Sequence, residues 1–188
     1  MSIVFQRSIG GWNLRWPLGR LLEEDLGYWR VAHVKPRNEK ALACDCERRG
    51  VGYYLPLYEK RVRRRDNNKA RKSVLPLFPG YLPFVDRDGG KRRIYETKRV
   101  VQVLDVTDQE GFVRDLTQVW QAVTAGAQLG VVERFAVGQT VRVNGGPLQG
   151  LVGVIQGLRD HLRLLLNVEF FQMAVSVELD CADVEILQ

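Results

Sequence analysis

Between residues 28 and 35 apolar and polar side chains alternate with a period of two, with Trp29, Val31 and His33 on one face and Arg30, Ala32 and Val34 on the other. That alternation predicts a strand, which Pro36 ends because it has no amide proton to donate. Asn38 and Glu39 suit a helix start, one as N-cap and the other as an anion beside the positive end of the peptide dipoles. Leu42 and Cys46 share a face of that helix, and Gly50 supplies its left-handed stop. Residues 51–58 return as an apolar, aromatic strand. Residues 60–72 form a charge run interrupted by Asp66-Asn67-Asn68, the pattern of a hairpin arm. Strands over 74–77 and 81–85 flank a Pro79-Gly80 turn, 89–99 reads as a short basic helix, and 100–106 as another strand. Over 108–125, Phe112, Leu116, Val119, Trp120 and Val123 recur at spacings of three and four, one apolar stripe on a helix.

Residues 1–27 hold Trp12 and Trp16 without a long period and read as an extension, with a short amphipathic helix over 17–26 between Pro17 and Gly27. Residues 125–134, with Gly126 and Gly130, read as a linker. Beyond it Val141 and Val143 alternate with Arg142, Asn144-Gly145-Gly146-Pro147 turns the chain, and Val152, Val154 and Ile155 resume an apolar strand. Gly150 and Gly153 mark a sharp bend or a close backbone approach, as the corners of a small barrel require. The Leu-Arg-Leu-Leu-Leu run within 158–173 suits a helix almost as well as a strand. The order of elements predicts an α+β chain: a domain over 28–124 with helices packed on a mainly antiparallel sheet, then a β-barrel over 135–188.

Charge changes this picture more than composition does. Residues 28–99 carry 20 basic and 8 acidic side chains, net +12, whereas residues 100–188 carry 5 and 11, net −6. The cations concentrate in Lys60, Arg61, Arg63, Arg64, Arg65, Lys69, Arg71 and Lys72, opposed within that run by Asp66 alone. So many like charges repel one another unless an anion approaches, so phosphate contact is the favoured reading over a solvated face. The run holds no aromatic residue, which argues against a base-stacking platform in the arm itself. Cys44, Cys46 and Cys181 are odd in number and spaced neither for a metal nor for a ready disulfide, so reduced thiols are expected. No secretory leader or membrane span is apparent, which places the chain in the cytoplasm. His33 and His161 lack partners for catalysis, and neither a phosphate loop nor a cofactor motif is visible. A binding protein rather than an enzyme is expected.

The stretch Phe135-Ala-Val-Gly-Gln-Thr-Val-Arg-Val-Asn-Gly-Gly-Pro-Leu-Gln-Gly-Leu-Val-Gly-Val-Ile155 resembles the KOW motif of the NusG/Spt5 transcription elongation factors and of several ribosomal proteins; an unrelated SH3-like barrel with a Gly-rich hairpin is the alternative. The segment Phe78-Pro-Gly-Tyr81, after a basic hairpin and before an apolar strand, looks like the FPGY motif of the NusG N-terminal domain. Tyr28-Trp-Arg-Val-Ala-His33, Leu55-Pro-Leu-Tyr58 and Val177-Glu-Leu-Asp180 extend the resemblance over residues 28–188. It implies an N-terminal α/β sandwich and a C-terminal SH3-like KOW barrel. It also implies docking on the RNA polymerase clamp through Phe78, Pro79, Gly80, Tyr81 and Leu82 with Tyr54 and Tyr58 as neighbours, although Phe78 or Tyr81 could instead fill the sheet core. DNA or nascent RNA near the transcription bubble would meet the hairpin and Lys91, Arg92 and Arg93. Termination factor Rho or a small-subunit ribosomal protein would meet the barrel through Phe170, Phe171 and Met173. The Trp-containing leader, the very basic hairpin and Pro83 resemble a specialised paralogue of the RfaH type, whose C-terminal module switches fold. A ribosome-associated or RNA-binding KOW protein is the second reading, and the acidic barrel argues against it. A nuclease is the most remote.

Overall fold

The leader, expected as an extension with one short helix, contributes three short strands and a 3-10 turn. The structure, a computed structural model, describes residues 8–63, 70–132, 138–158, 161–179 and 184–187. Among the described residues the chain divides into two compact units, 8–109 and 110–187. The first unit begins with β1 (Ser8–Ile9), β2 (Trp12–Asn13) and β3 (Arg15–Trp16). The helix expected over 17–26 is a single 3-10 turn at Leu22–Glu24, which the Glu24 carboxylate closes by accepting the Leu21 N–H. Tertiary contacts override helix propensity here: Leu14 and Leu22 are buried, and Arg15 pairs with Asp25 at 2.7 Å across the segment, fixing its path.

The expected elements follow as β4 (Tyr28–Val34), α1 (Glu39–Arg48), β5 (Tyr53–Tyr54), β6 (Leu57–Arg63), β7 (Ala70–Pro76), β8 (Tyr81–Asp86), α2 (Gly90–Tyr95) and β9 (Val100–Asp105). The single strand expected over 51–58 is cut at Pro56, which cannot donate to a ladder. β5 then stays in the main sheet, and β6 leaves to pair with β7 as a separate hairpin. The main sheet runs β3-β5-β8-β4-β9, antiparallel throughout. Ala32 of β4 stands between Leu82 of β8 and Val103 of β9. Trp29, Val31, Val34, Leu82 and Phe84 fill the interior of this unit, and the Leu42, Ala43 and Cys46 face of α1 is buried with them. The second helix is only six residues long and ends before Lys98, which takes a positive φ of 57°. At the outer edge of the sheet the Val103 N–H donates to the Tyr95 hydroxyl at 3.0 Å.

In the second unit α3 (Gln109–Thr124) has its expected apolar stripe, with Phe112, Leu116, Val119 and Val123 buried and Trp120 half-buried. The strands are β10 (Leu129–Val132), β11 (Thr140–Val143), β12 (Val152–Leu158), β13 (His161–Val168), β14 (Met173–Leu179) and β15 (Val184–Ile186). They form one antiparallel sheet in the order β10-β14-β13-β12-β11-β15. Two expectations are corrected here. The linker contains β10, which pairs with β14 because Val132 has a core to join, packing on Val154, Leu165 and Ala174. From Glu110 onward α3 groups with this sheet rather than with the preceding unit. The run within 158–173 is a strand followed by a 3-10 turn, Glu169–Phe171, not a helix. Gly153 justifies its position, since a Cβ there would lie 2.6 Å from the Leu165 carbonyl oxygen of the neighbouring strand. The barrel start expected at Phe135 lies outside the described residues.

Candidate functional site

Phe78-Pro79-Gly80-Tyr81 is a turn closed by the Tyr81 N–H donating to the Phe78 carbonyl at 3.1 Å, with Gly80 at φ 81° as a type II turn requires. Two neighbours hold it. The Gly80 carbonyl accepts from Val34 N–H at 2.8 Å, and the Gly80 N–H donates to the Glu39 carboxylate, also at 2.8 Å. Glu39 is the acidic residue in the first turn of α1, as its sequence position predicts, and its buried carboxylate also braces this turn, which only the fold brings near. Pro79 is exposed, Tyr58 and Tyr81 are half-buried, and the Tyr81 ring stacks on His33 with centroids 5.3 Å apart. Phe78, at 1% exposure, and Tyr54 and Leu82, both at 0%, are interior. The aromatic patch expected from sequence therefore loses these three to the core, as apolar side chains between packed strands should be lost. Tyr58, Pro79, Tyr81 and His33 remain at the surface.

The hairpin forms where expected, in continuous register from Leu57↔Pro76 to Arg63↔Ala70. Its tip, with Arg64, Arg65 and Lys69, lies outside the described residues. In that register position 61 lies opposite Lys72 and position 62 opposite position 71. Lys72 is balanced by Glu59 at 2.9 Å, an exposed pair worth little in water. Lys40 of α1 anchors the arm, donating to the Val74 carbonyl at 2.7 Å with its ammonium 5.4 Å from the Trp12 ring centroid. Burial there lowers the Lys40 pKa from its ordinary value.

Lys91, Arg92 and Arg93 differ from one another. Arg92 is exposed and paired with Glu96 at 3.2 Å. Lys91 is half-buried, and its backbone N–H donates to Asp86 at 2.8 Å. Arg93 is a structural clamp, donating to the carbonyls of Arg49, Arg87 and Asp88 at 2.8, 3.0 and 2.9 Å. Arg99, which sequence reading passed over, ties β9 to α1 through Asp45 at 2.6 Å and Asn38 at 2.8 Å.

In the second unit Phe170 and Phe171 sit against the Phe112 ring of α3, with centroids 5.3 and 6.0 Å away, and against each other at 5.2 Å. Met173 is half-buried. Three polar residues of α3 on successive turns add backbone contacts: Asp115 accepts from Glu169 N–H at 3.1 Å, Gln118 from Val152 N–H at 2.9 Å, and Gln121 donates to the Gln149 carbonyl at 2.7 Å. Cys46 is buried and its thiol is pushed up to about 12, mainly by desolvation; Cys44 is half-buried, and Cys181 lies outside the described residues. Among the described residues no three His, Cys, Asp or Glu side chains come together as a metal centre would need, and no helix is long and apolar enough to cross a membrane.

Among models of known families, the one described as "Transcription termination factor nusG" matches residues 27–126. A search of curated proteins gave no significant match. The matched span contains β4 to α3 and hence both the Phe78–Tyr81 turn and the basic hairpin.

Proposed function

Since the chain belongs to the NusG family of transcription elongation and termination factors, which are not enzymes, we propose that it is an antitermination factor that rides on RNA polymerase through its first unit. The observation that carries this reading is the braced Phe78–Tyr81 turn. Glu39 and Val34 hold its backbone, so Pro79 and Tyr81 are presented without further ordering, which is what a docking surface needs. The clamp of the polymerase would meet Tyr58, Pro79 and Tyr81, with Phe78 and Leu82 supporting them from the core. The hairpin would contact DNA or RNA phosphates beside the transcription bubble, positioning the protein without reading sequence. The acidic second unit, read as a KOW barrel on its Gly153 close approach and its antiparallel order, would recruit a protein such as Rho or a small-subunit ribosomal protein. Phe170 and Phe171 could take part only through the sides that Phe112 leaves open. The leader, outside the matched span yet built into the first unit, supports a specialised paralogue.

Binding to a multisubunit RNA polymerase elongation complex tests the reading. Tyr81→Ala should weaken binding by about 1–4 kcal/mol, the range of an interface hot spot, with circular dichroism unchanged. Reversal of Arg63, Arg64 and Arg65 to Glu should flatten the salt dependence by up to about one slope unit per lost phosphate contact. Native affinity and native salt slope in both folded variants would remove the proposal.

A further inference from the structure

Within the first unit, the leader closes one side of a cavity of about 340 Å³ that no described residue of the hairpin lines. Its walls are the Trp16-Pro17 segment and Leu26 on the leader side, and Val85 and Arg93 on the other. Two glycines keep its floor open. A Cβ at Gly50, which has φ 66°, would stand 4.0 Å from the Trp16 Cη2 and 3.9 Å from an Arg93 guanidinium nitrogen, and one at Gly52 would stand 3.4 Å from the Trp16 carbonyl oxygen. The indole edge and the guanidinium thus both border the space above Gly50, and both line the cavity.

The charges of this cavity do not cancel. Asp25 is committed to Arg15, and Asp88 pairs with Arg87 at 3.2 Å. Arg93 is held by three backbone carbonyls, which fix the guanidinium without neutralising it, and no carboxylate pairs with it among the described residues. Arg20 is exposed and likewise without a hydrogen bond or ion pair among the described residues. Two guanidiniums without a paired carboxylate, Arg20 acting on Asp25 only at longer range, stand beside an indole in a space the size of a small-ligand pocket, which suits a ligand that carries both an anion and a flat ring. We propose that the cavity takes one nucleotide, its base against the Trp16 indole and its phosphate toward Arg20 and Arg93. Base stacking on an aromatic face and a guanidinium fork on phosphate are the two contacts such a ligand offers. Trp16, Arg20 and Leu26 precede the family-matched span, so the site belongs to this chain's own leader. The inference is independent of the hairpin and of polymerase docking.

The nucleotide could be free or one unit of a single strand, and the test separates them. The full chain is titrated with 2-aminopurine riboside monophosphate in one arm and with a short single-stranded oligonucleotide carrying one central 2-aminopurine in the other. Stacking on the indole should quench the fluorescence. Trp16→Leu should abolish the quench, and Arg20→Glu, at an exposed position, should raise Kd about tenfold with an unchanged melting temperature. Quenching in the first arm assigns a free nucleotide, and quenching in the second arm alone assigns a strand. Equal quenching in wild type and Trp16→Leu overturns the proposal. So does salt-dependent oligonucleotide binding with no quench in either arm, an outcome that leaves the hairpin reading intact.

Discussion

The two units spend their polar side chains differently. In the first, carboxylates are drawn inward to brace backbone and cations: Glu39 holds the Gly80 N–H, Asp25 holds Arg15, and Asp45 holds Arg99. Residues 28–99 nevertheless carry a net charge of +12. In the second, α3 uses one carboxylate and two neutral amides to grip loop and strand backbone, and the net charge of residues 100–188 is −6. A positive surface attracts a polyanion at long range, whereas an acidic sheet carrying an aromatic cluster repels one. The asymmetry therefore assigns the two units to different classes of partner.

The largest expected break in this contrast is Asp25→Ala. It would leave the Arg15 guanidinium, 1% exposed, without its carboxylate, at a cost of about 3–5 kcal/mol in urea unfolding. Arg15→Leu combined with Asp25→Leu should recover much of that loss, because neither charge then needs solvation. A double variant no more stable than Asp25→Ala alone would show that the pair does more than satisfy itself.

That buried pair was beyond the reach of sequence, and the reason is general. The strands and helices of the first unit were legible because each has its own period or its own breaker: alternation in β4, Asn38 and Gly50 around α1, Pro79-Gly80 before β8. The leader has neither a period nor a core of its own, and its shape is set by Leu14, Arg15 and Leu22 finding places in a sheet assembled from residues 28–105. The candidate site was legible in outline for the same reason. The turn and the hairpin are local patterns, but which rings of the patch are interior, and that Glu39 braces the turn from about forty positions away, depend on packing. Likewise the glycines at 126 and 130 suggest a linker over 129–132, whereas pairing with β14 gives Val132 a core to join.

A smaller effect sharpens the contrast. Glu39→Ala removes a charged acceptor from a half-buried N–H and should cost about 1.5–3 kcal/mol. Amide chemical shifts should move around Gly80 and stay in place over residues 138–158. Next, Gln118→Ala should cost about 1 kcal/mol and confine its shift changes to the second unit, centred on Val152, whose N–H it would release. Shifts that spread equally through both units in either variant would erase the distinction drawn between them.

The smallest effect is chemical and leaves stability at neutral pH unchanged. At pH 8, iodoacetamide should modify half-buried Cys44 and spare Cys46 until the chain is unfolded, as mass spectrometry of peptides would show. The Cys46 thiol stays protonated in the folded chain to about 12. Its contribution to stability is therefore complete below the ordinary thiol value of 9.0, and falls as pH climbs from there toward 12, where only the unfolded chain ionises.

The Tyr95 hydroxyl bears on how this chain behaves in a crowd of its own copies. β9 ends the main sheet, and Val101 on it is 56% exposed, so the strand is a bare selvedge onto which a second chain could be stitched. By taking the Val103 N–H, Tyr95 occupies a stitch in the middle of that border from within the same molecule. Solubility at high concentration is thus guarded by a residue six positions upstream of exposed Val101, and its loss to phenylalanine would be felt first as self-association rather than as unfolding.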